Sequence, residues 1–175
     1  DLNKLQTELE IPMSVIRKLA EDEQRNLLIV NRVEDMIREH KRILVFSATV
    51  DHALLLSSVL RARGVDSDAV TGATPKDRRF EIIDNYRTYS EEPRVLVNYG
   101  VLTTGFDAPQ TSAAIIARPT KSLVLYSQMV GRATRGTLAG GNTEADIVTV
   151  VDTGLPGFGS MSDAFENWER EWNQT

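Results

Sequence analysis

Arg94-Val95-Leu96-Val97-Asn98-Tyr99-Gly100-Val101-Leu102-Thr103-Thr104-Gly105-Phe106-Asp107-Ala108-Pro109 decides the fold, together with the chain that follows as far as Gly136. Val95-Leu96-Val97 is a compact apolar run with β-branched ends, and it reads as a strand. A polar loop, Leu102 to Pro109, ends it, and Ala113-Ala114-Ile115-Ile116-Ala117 is a second apolar run. An almost wholly apolar helix, Leu123 to Val130, then leads into Gly131-Arg132-Ala133-Thr134-Arg135-Gly136.

The same grammar extends upstream. Arg42-Ile43-Leu44-Val45-Phe46-Ser47 is a continuous apolar run with a charged start, suited to a strand buried on both faces of a parallel sheet. Small polar residues, Ser47-Ala48-Thr49, close it. A helix is predicted from Asp51 with Leu55, Leu56, Val59 and Leu60 inward, and Gly64 is its left-handed stop. Val65 to Val70 is a more polar strand, expected near an edge. Thr71-Gly72-Ala73-Thr74-Pro75 turns into a further helix, with Thr74 as cap and Asp77 as the capping-box acid. Phe80, Ile83 and Tyr86 form its predicted inner face.

Before these elements, Met13, Val15, Ile16 and Leu19 make a short apolar face after Pro12. Glu21-Asp22-Glu23 opens a longer helix that should bury Leu27, Val30, Val33 and Ile37 and expose Arg25 among other charges. Downstream, Asp146 to Val151 is a last strand. Ser160 and Asp163 suggest a capped helix carrying Phe165, Trp168 and Trp172 on one side, where packing is a better use of the tryptophans than base stacking. Alternating strands and helices define an α/β domain, a three-layer sandwich with a mostly parallel sheet of about five strands. Residues 1–40 are expected to be a helical lead-in packed on the domain of residues 41–175.

A chain of 175 residues is most simply one domain. A net charge of -5 argues against a generic polyanion binder, so any nucleic-acid contact must be a local patch. Without cysteine there is neither a disulfide nor a thiolate metal site, and His40 and His52 are poorly placed for a metal centre. No apolar stretch is long enough to span a bilayer. The first residue is Asp1, which is expected of an excised piece or a processed product.

In parallel sheets ligands gather at the carboxyl ends of the strands. The polar tips Ser47-Ala48-Thr49, Thr71-Gly72 and Thr103-Thr104-Gly105 all fall at such ends. Hydroxyl residues beside glycine let backbone amides approach an anion, so three tips on one edge could hold successive phosphates. Each tip taken alone is also an ordinary turn. Arg132 and Arg135, three apart at the end of an apolar helix, could both address a phosphate, or merely complement the helix dipole. Gln128 needs a partner if buried, in the core or on a nucleotide, and Asp107 could accept from a ribose hydroxyl or fix its own turn.

These residues carry a resemblance. Ile43 to Thr49 resembles motif IV, and Thr71-Gly72 with the arginine-bearing helix after it resembles motif IVa. Val95 to Pro109 resembles motif V, and Gln128 to Arg135, Gln-x-x-Gly-Arg-x-x-Arg, resembles motif VI of the second RecA-like domain of superfamily-two helicases. The linking run Ala117-Arg118-Pro119-Thr120 is most similar to the restriction-enzyme motor and repair-helicase branch, which acts on DNA. One departure is Ala133-Thr134, where glycine often follows the first arginine in relatives.

The resemblance implies a RecA-like fold of the P-loop NTPase type. It implies that Arg132 and Arg135 face the γ-phosphate of ATP, with Arg135 first choice for the finger. Gly105, Asp107 and Gln128 would then lie around the nucleotide, and Ser47, Thr71, Gly72, Thr103 and Thr104 would touch the nucleic-acid backbone. The sequence contains no Gly-x-x-x-x-Gly-Lys-Ser/Thr (Walker A) loop and no Asp-Glu-x-His or Asp-Glu-Ala-Asp run. ATP and Mg2+ are therefore expected mainly on an N-terminal RecA-like domain of the same polypeptide, with double- or single-stranded DNA as the other partner. The isolated chain is expected to be a monomer, inactive as an ATPase, and of a cytoplasmic, prokaryotic type. A nucleic-acid-binding module on the same fold, without an ATPase partner, is the alternative. A phosphotransfer or nucleotide-modifying α/β enzyme is a further one, for which only Asp107 is on offer as a base or nucleophile near Arg132.

Overall fold

Six strands line up in the order β2-β3-β1-β4-β5-β6. They are β1 (Arg42–Phe46), β2 (Ser67–Thr71), β3 (Arg94–Tyr99), β4 (Thr111–Ile116), β5 (Asp146–Val150) and β6 (Phe165–Asn167). The computed structural model describes residues 11–101, 110–119 and 146–150, and the backbone of 165–167. Strands β2, β3, β1, β4 and β5 run parallel, while β6 is antiparallel to β5. Four helices accompany them among the described residues: α1 (Met13–Glu21), α2 (Glu23–Met36), α3 (Val50–Ala62) and α4 (Lys76–Arg87).

The sheet is buried on both faces because its strands are apolar throughout. Ile43, Val45, Val95, Val97, Ala113 and Ile115 point to one face and pack with Ile29, Val30 and Val33 of α2 and Ala53, Leu56 and Leu60 of α3. Leu44, Phe46, Leu96, Ala114 and Ile116 point to the other and meet Ile82 and Tyr86 of α4. Alternate residues of one strand thus serve two cores, the expected consequence of a two-residue repeat. The result is a three-layer α/β sandwich, and β2 lies at the edge of the described sheet, as its polarity foretold.

Several local expectations are corrected. Phe165–Asn167 is a strand on the flank of β5, not part of a helix. The Ser160 and Asp163 signals are local, whereas pairing with an open strand edge is a tertiary gain that they do not encode. Leu27 and Leu55 are about half exposed and Phe80 more so, while Ile29, Met36 and Ile82 are buried in their neighbourhoods. Phe80 instead lies beneath the ammonium of Lys76, 5.9 Å from its ring centroid. Thr74 does not cap α4. Its Oγ1 accepts from Thr71 N–H at 3.0 Å, and the helix starts after Pro75 without a side-chain cap. Two caps do form: Asp22 accepts from Arg25 N–H and Thr49 from His52 N–H. Gly64 ends α3 at φ +85°.

Arg42 opens β1 and is fully buried. Its Nε donates to Tyr86 O at 2.7 Å, Nη1 to Lys41 O and Glu92 O, and Nη2 to Thr88 O. Burial, and then the neighbouring Arg94, pull its pKa down from the usual value. Four carbonyls hold the charge in place and tie the end of α4 to the amino edge of the sheet.

Candidate nucleic-acid interface at the carboxyl edge of the sheet

The carboxyl ends of β3, β1 and β4 are locked to each other by polar bonds. Ser47 donates twice to Asn98 O, from N and from Oγ, each at 2.9 Å. Asn98 Nδ2 reaches Val45 O at 3.3 Å, and Ala117 N–H donates to Phe46 O at 2.9 Å. The strand tips are therefore held in register beyond the ladder itself.

Of the residues expected on the nucleic-acid backbone, Ser47, Thr71 and Gly72 lie in this region. Ser47 is buried and its hydroxyl is engaged within the fold, so it shapes the tip. Thr71 is buried too, with Oγ1 accepting from Ala73 N–H at 3.1 Å. Gly72 is exposed, and a Cβ there would meet no atom within 4 Å. Its missing side chain is thus not required by internal packing, and it leaves the backbone open to close approach. Beside this turn lies an open groove of about 310 Å³ that Thr71, Thr74, Arg61 and Arg78 help to line. Thr103, Thr104, Gly105, Asp107, Gln128, Arg132 and Arg135 lie outside the described residues, as do Trp168 and Trp172.

A polar network under the same edge went unread in the sequence. Arg25, expected on a solvated face, is 6% exposed, and its Nη2 donates to Ala117 O at 2.6 Å. His52 is buried, its Nδ1 accepting from Ala48 N–H at 2.9 Å and its Nε2 lying 2.8 Å from Asn26 Oδ1. Asn26 Nδ2 in turn donates to Ala20 O at 2.8 Å. With Nδ1 an acceptor, Nε2 must carry the proton, so the ring is neutral. Ile11, Ile16 and Ala20 pack on Ala48 alongside. Helices α1 and α2 thereby brace the β1 tip. Only the spacing Arg25-Asn26 to Ile29-Val30, three and four residues on, hinted that these polar groups share the buried stripe.

Desolvation, and then Arg25, press the His52 pKa down to about 3. The unfolded chain takes up this proton below about pH 6.5, whereas the folded chain refuses it, so stability falls with falling pH between those values. From pH 7.5 to 5 the His52 contribution is a loss of about 2 kcal/mol. Urea unfolding across that range should show it, while ring nitrogen shifts at pH 5 should still report a neutral His52. A ring titrating near pH 6.5 would refute the buried network.

This mostly parallel α/β sheet has the fold of a RecA-like helicase domain 2. The model of the helicase conserved C-terminal domain matches residues 22–137, and the chain belongs to that family. It is 29% identical over 141 residues to the putative ATP-dependent helicase IRC3 of Saccharomyces cerevisiae, across 73% of this chain and 20% of that protein. It is 34% identical over 106 residues to the type I restriction enzyme EcoKI endonuclease subunit of Escherichia coli K12, across 54% of this chain and 9% of that protein. Domain 2 of the DEAD-box helicase Mss116p, solved bound to an RNA duplex, shares the fold at TM-score 0.60 and 18% identity, over 75% of this chain and 50% of that one. The chain spans about a fifth of the length of IRC3.

Proposed function

We propose that the chain is the C-terminal motor domain of an ATP-dependent DNA helicase or translocase. What supports this most is the family match over residues 22–137, joined to a sheet edge where the Ser47 and Thr71-Gly72 tips stand in one row. Arg132 and Arg135 contribute guanidinium groups to a triphosphate bound on a preceding RecA-like domain, with Arg135 as the finger. Gly105, Asp107 and Gln128 border the sugar and phosphates, while Thr103 and Thr104 join the tips that address the nucleic-acid backbone.

Such backbone contacts position a strand without reading its sequence. ATP closes the cleft between the two domains because its two halves of the site differ in affinity between open and closed states, and hydrolysis releases them. Mg2+ is assigned with the triphosphate to the preceding RecA-like domain, where it would neutralise phosphate charge. DNA is favoured over RNA by the likeness to the restriction-enzyme subunit.

Phosphate release from ATP by the 175-residue chain alone, with or without DNA, is expected to stay at background. Clear turnover would show that the chain carries its own phosphate cradle and water base, and would reject a divided active site.

A further inference from the structure

We propose that Arg118, laid across the mouth of β1 against Tyr99, is a further nucleic-acid contact that takes a backbone phosphate. The proposal rests on the nucleic-acid role given above for this edge.

Tyr99 is the last residue of β3, Arg118 stands two residues beyond β4, and β1 runs between those strands. The Arg118 guanidinium lies 5.5 Å from the centroid of the Tyr99 ring, so it spans the end of β1 where the Ser47 tip begins. Its backbone is fixed from both sides. Ala117 donates to Phe46 O and accepts from Arg25 Nη2, and Pro119 is buried. The preceding helix α2 therefore sets where Arg118 emerges.

Among the described residues, hydrogen bonding does not explain the placement. Among the described residues Arg118 makes no ion pair and donates no hydrogen bond, and its Nε is buried without an acceptor. Arg42, at the opposite end of β1, is by contrast held by four carbonyls. A buried Nε without an acceptor also occurs in Arg32, Arg79 and Arg94, so it is the place of Arg118, across the carboxyl end of β1 against Tyr99, that sets it apart. Of its five N–H donors the buried Nε is the one left unmet, at a cost in free energy that a ring contact only partly offsets, while the remaining donors are available to a ligand. Phosphate oxygens supply the matching acceptors and the opposite charge.

The arrangement favours a polynucleotide over a single triphosphate. A triphosphate calls for donors converging on one point. Here the exposed Gly72 backbone and Arg118 stand at the two ends of the row β2, β3, β1 and β4, with the buried Ser47 shaping the tip between them. Three inter-strand spacings make that row about 14 Å long. One strand of a duplex advances only about 3.4 Å along its axis per nucleotide, so the row can meet several successive phosphates.

The test is anisotropy of a labelled DNA duplex titrated with the 175-residue chain over a series of salt concentrations. Arg118→Gln should weaken binding several-fold at low salt and flatten the log–log salt slope by about 0.9, the share of one phosphate. Arg118→Lys should keep most of the slope, and Tyr99→Phe should keep both slope and affinity. An unchanged slope in Arg118→Gln overturns the proposal, including where thermal stability falls, since the role is then structural. So does a variant that loses affinity for inorganic triphosphate while its DNA slope is intact. Failure of the unsubstituted chain to bind DNA overturns the nucleic-acid reading of the whole edge, and this proposal with it.

Discussion

Arg135→Ala, placed in a protein that joins this chain to its ATP-binding domain, is expected to reduce DNA-stimulated ATP hydrolysis by roughly 10³- to 10⁵-fold, the range attributed to an arginine finger. The charge is needed where negative charge builds on the transferring phosphoryl group, so the loss should fall on kcat far more than on KM for ATP. Arg135→Lys should recover little, because a lysine offers a point charge rather than a planar fork. Thermal melting should match that of the parent protein. Turnover unaltered by Arg135→Ala would remove Arg135 from the catalytic assignment. Arg132→Ala, tested beside it, would then show whether the first arginine of the pair does the work.

The second large effect concerns stability. Arg42→Met is expected to destabilise the fold by about 3–5 kcal/mol, because it strips four carbonyls, one buried and three half-buried, of their common donor. Methionine fills much of the volume, so the loss reports hydrogen bonding more than a cavity. For a domain of this size that corresponds to a fall in Tm of about 10 °C. The affected carbonyls sit at the end of α4 and in the loop holding Glu92, at the edge opposite the polar tips. Nucleic-acid affinity per folded molecule should therefore be unchanged. A melting temperature within a degree or two of the unsubstituted chain would mean that water replaces the guanidinium at no cost.

The contrast between these arginines explains which parts of the molecule were legible beforehand. Strands β1, β3 and β4 could be read because burial on both faces demands unbroken apolar runs, and Ile43 to Phe46 or Ala113 to Ile116 admit little else. The edge position of β2 followed from Ser67 and Asp68. Helix faces were harder. In α2 and α3 the buried stripes include Arg25, Asn26, His52 and Ser57, while Leu27, Leu28, Leu54 and Leu55 are exposed. A reading that assigns leucine to the core rotates such helices wrongly, because it cannot know that Ala117 O and Ala48 N–H await polar partners.

The same limit held at the functional edge. The tips themselves were visible from small polar residues after the strands. That Ser47 turns its hydroxyl inward to Asn98 O, and that Arg118 lies across the end of β1, are products of strand order rather than of local sequence. Three residues at 165–167 were misread for a related reason: a short segment carries too little periodicity to oppose a capping signal.

A structure of the two-domain protein, determined with DNA and a transition-state analogue of ATP hydrolysis, addresses the divided active site head-on. The guanidinium of Arg135 is expected within about 3 Å of the analogue's γ-phosphoryl position, with Arg132 beside it. Both guanidinium groups found in ion pairs within their own domain, facing away from the edge that bears Ser47 and Thr71, would contradict it.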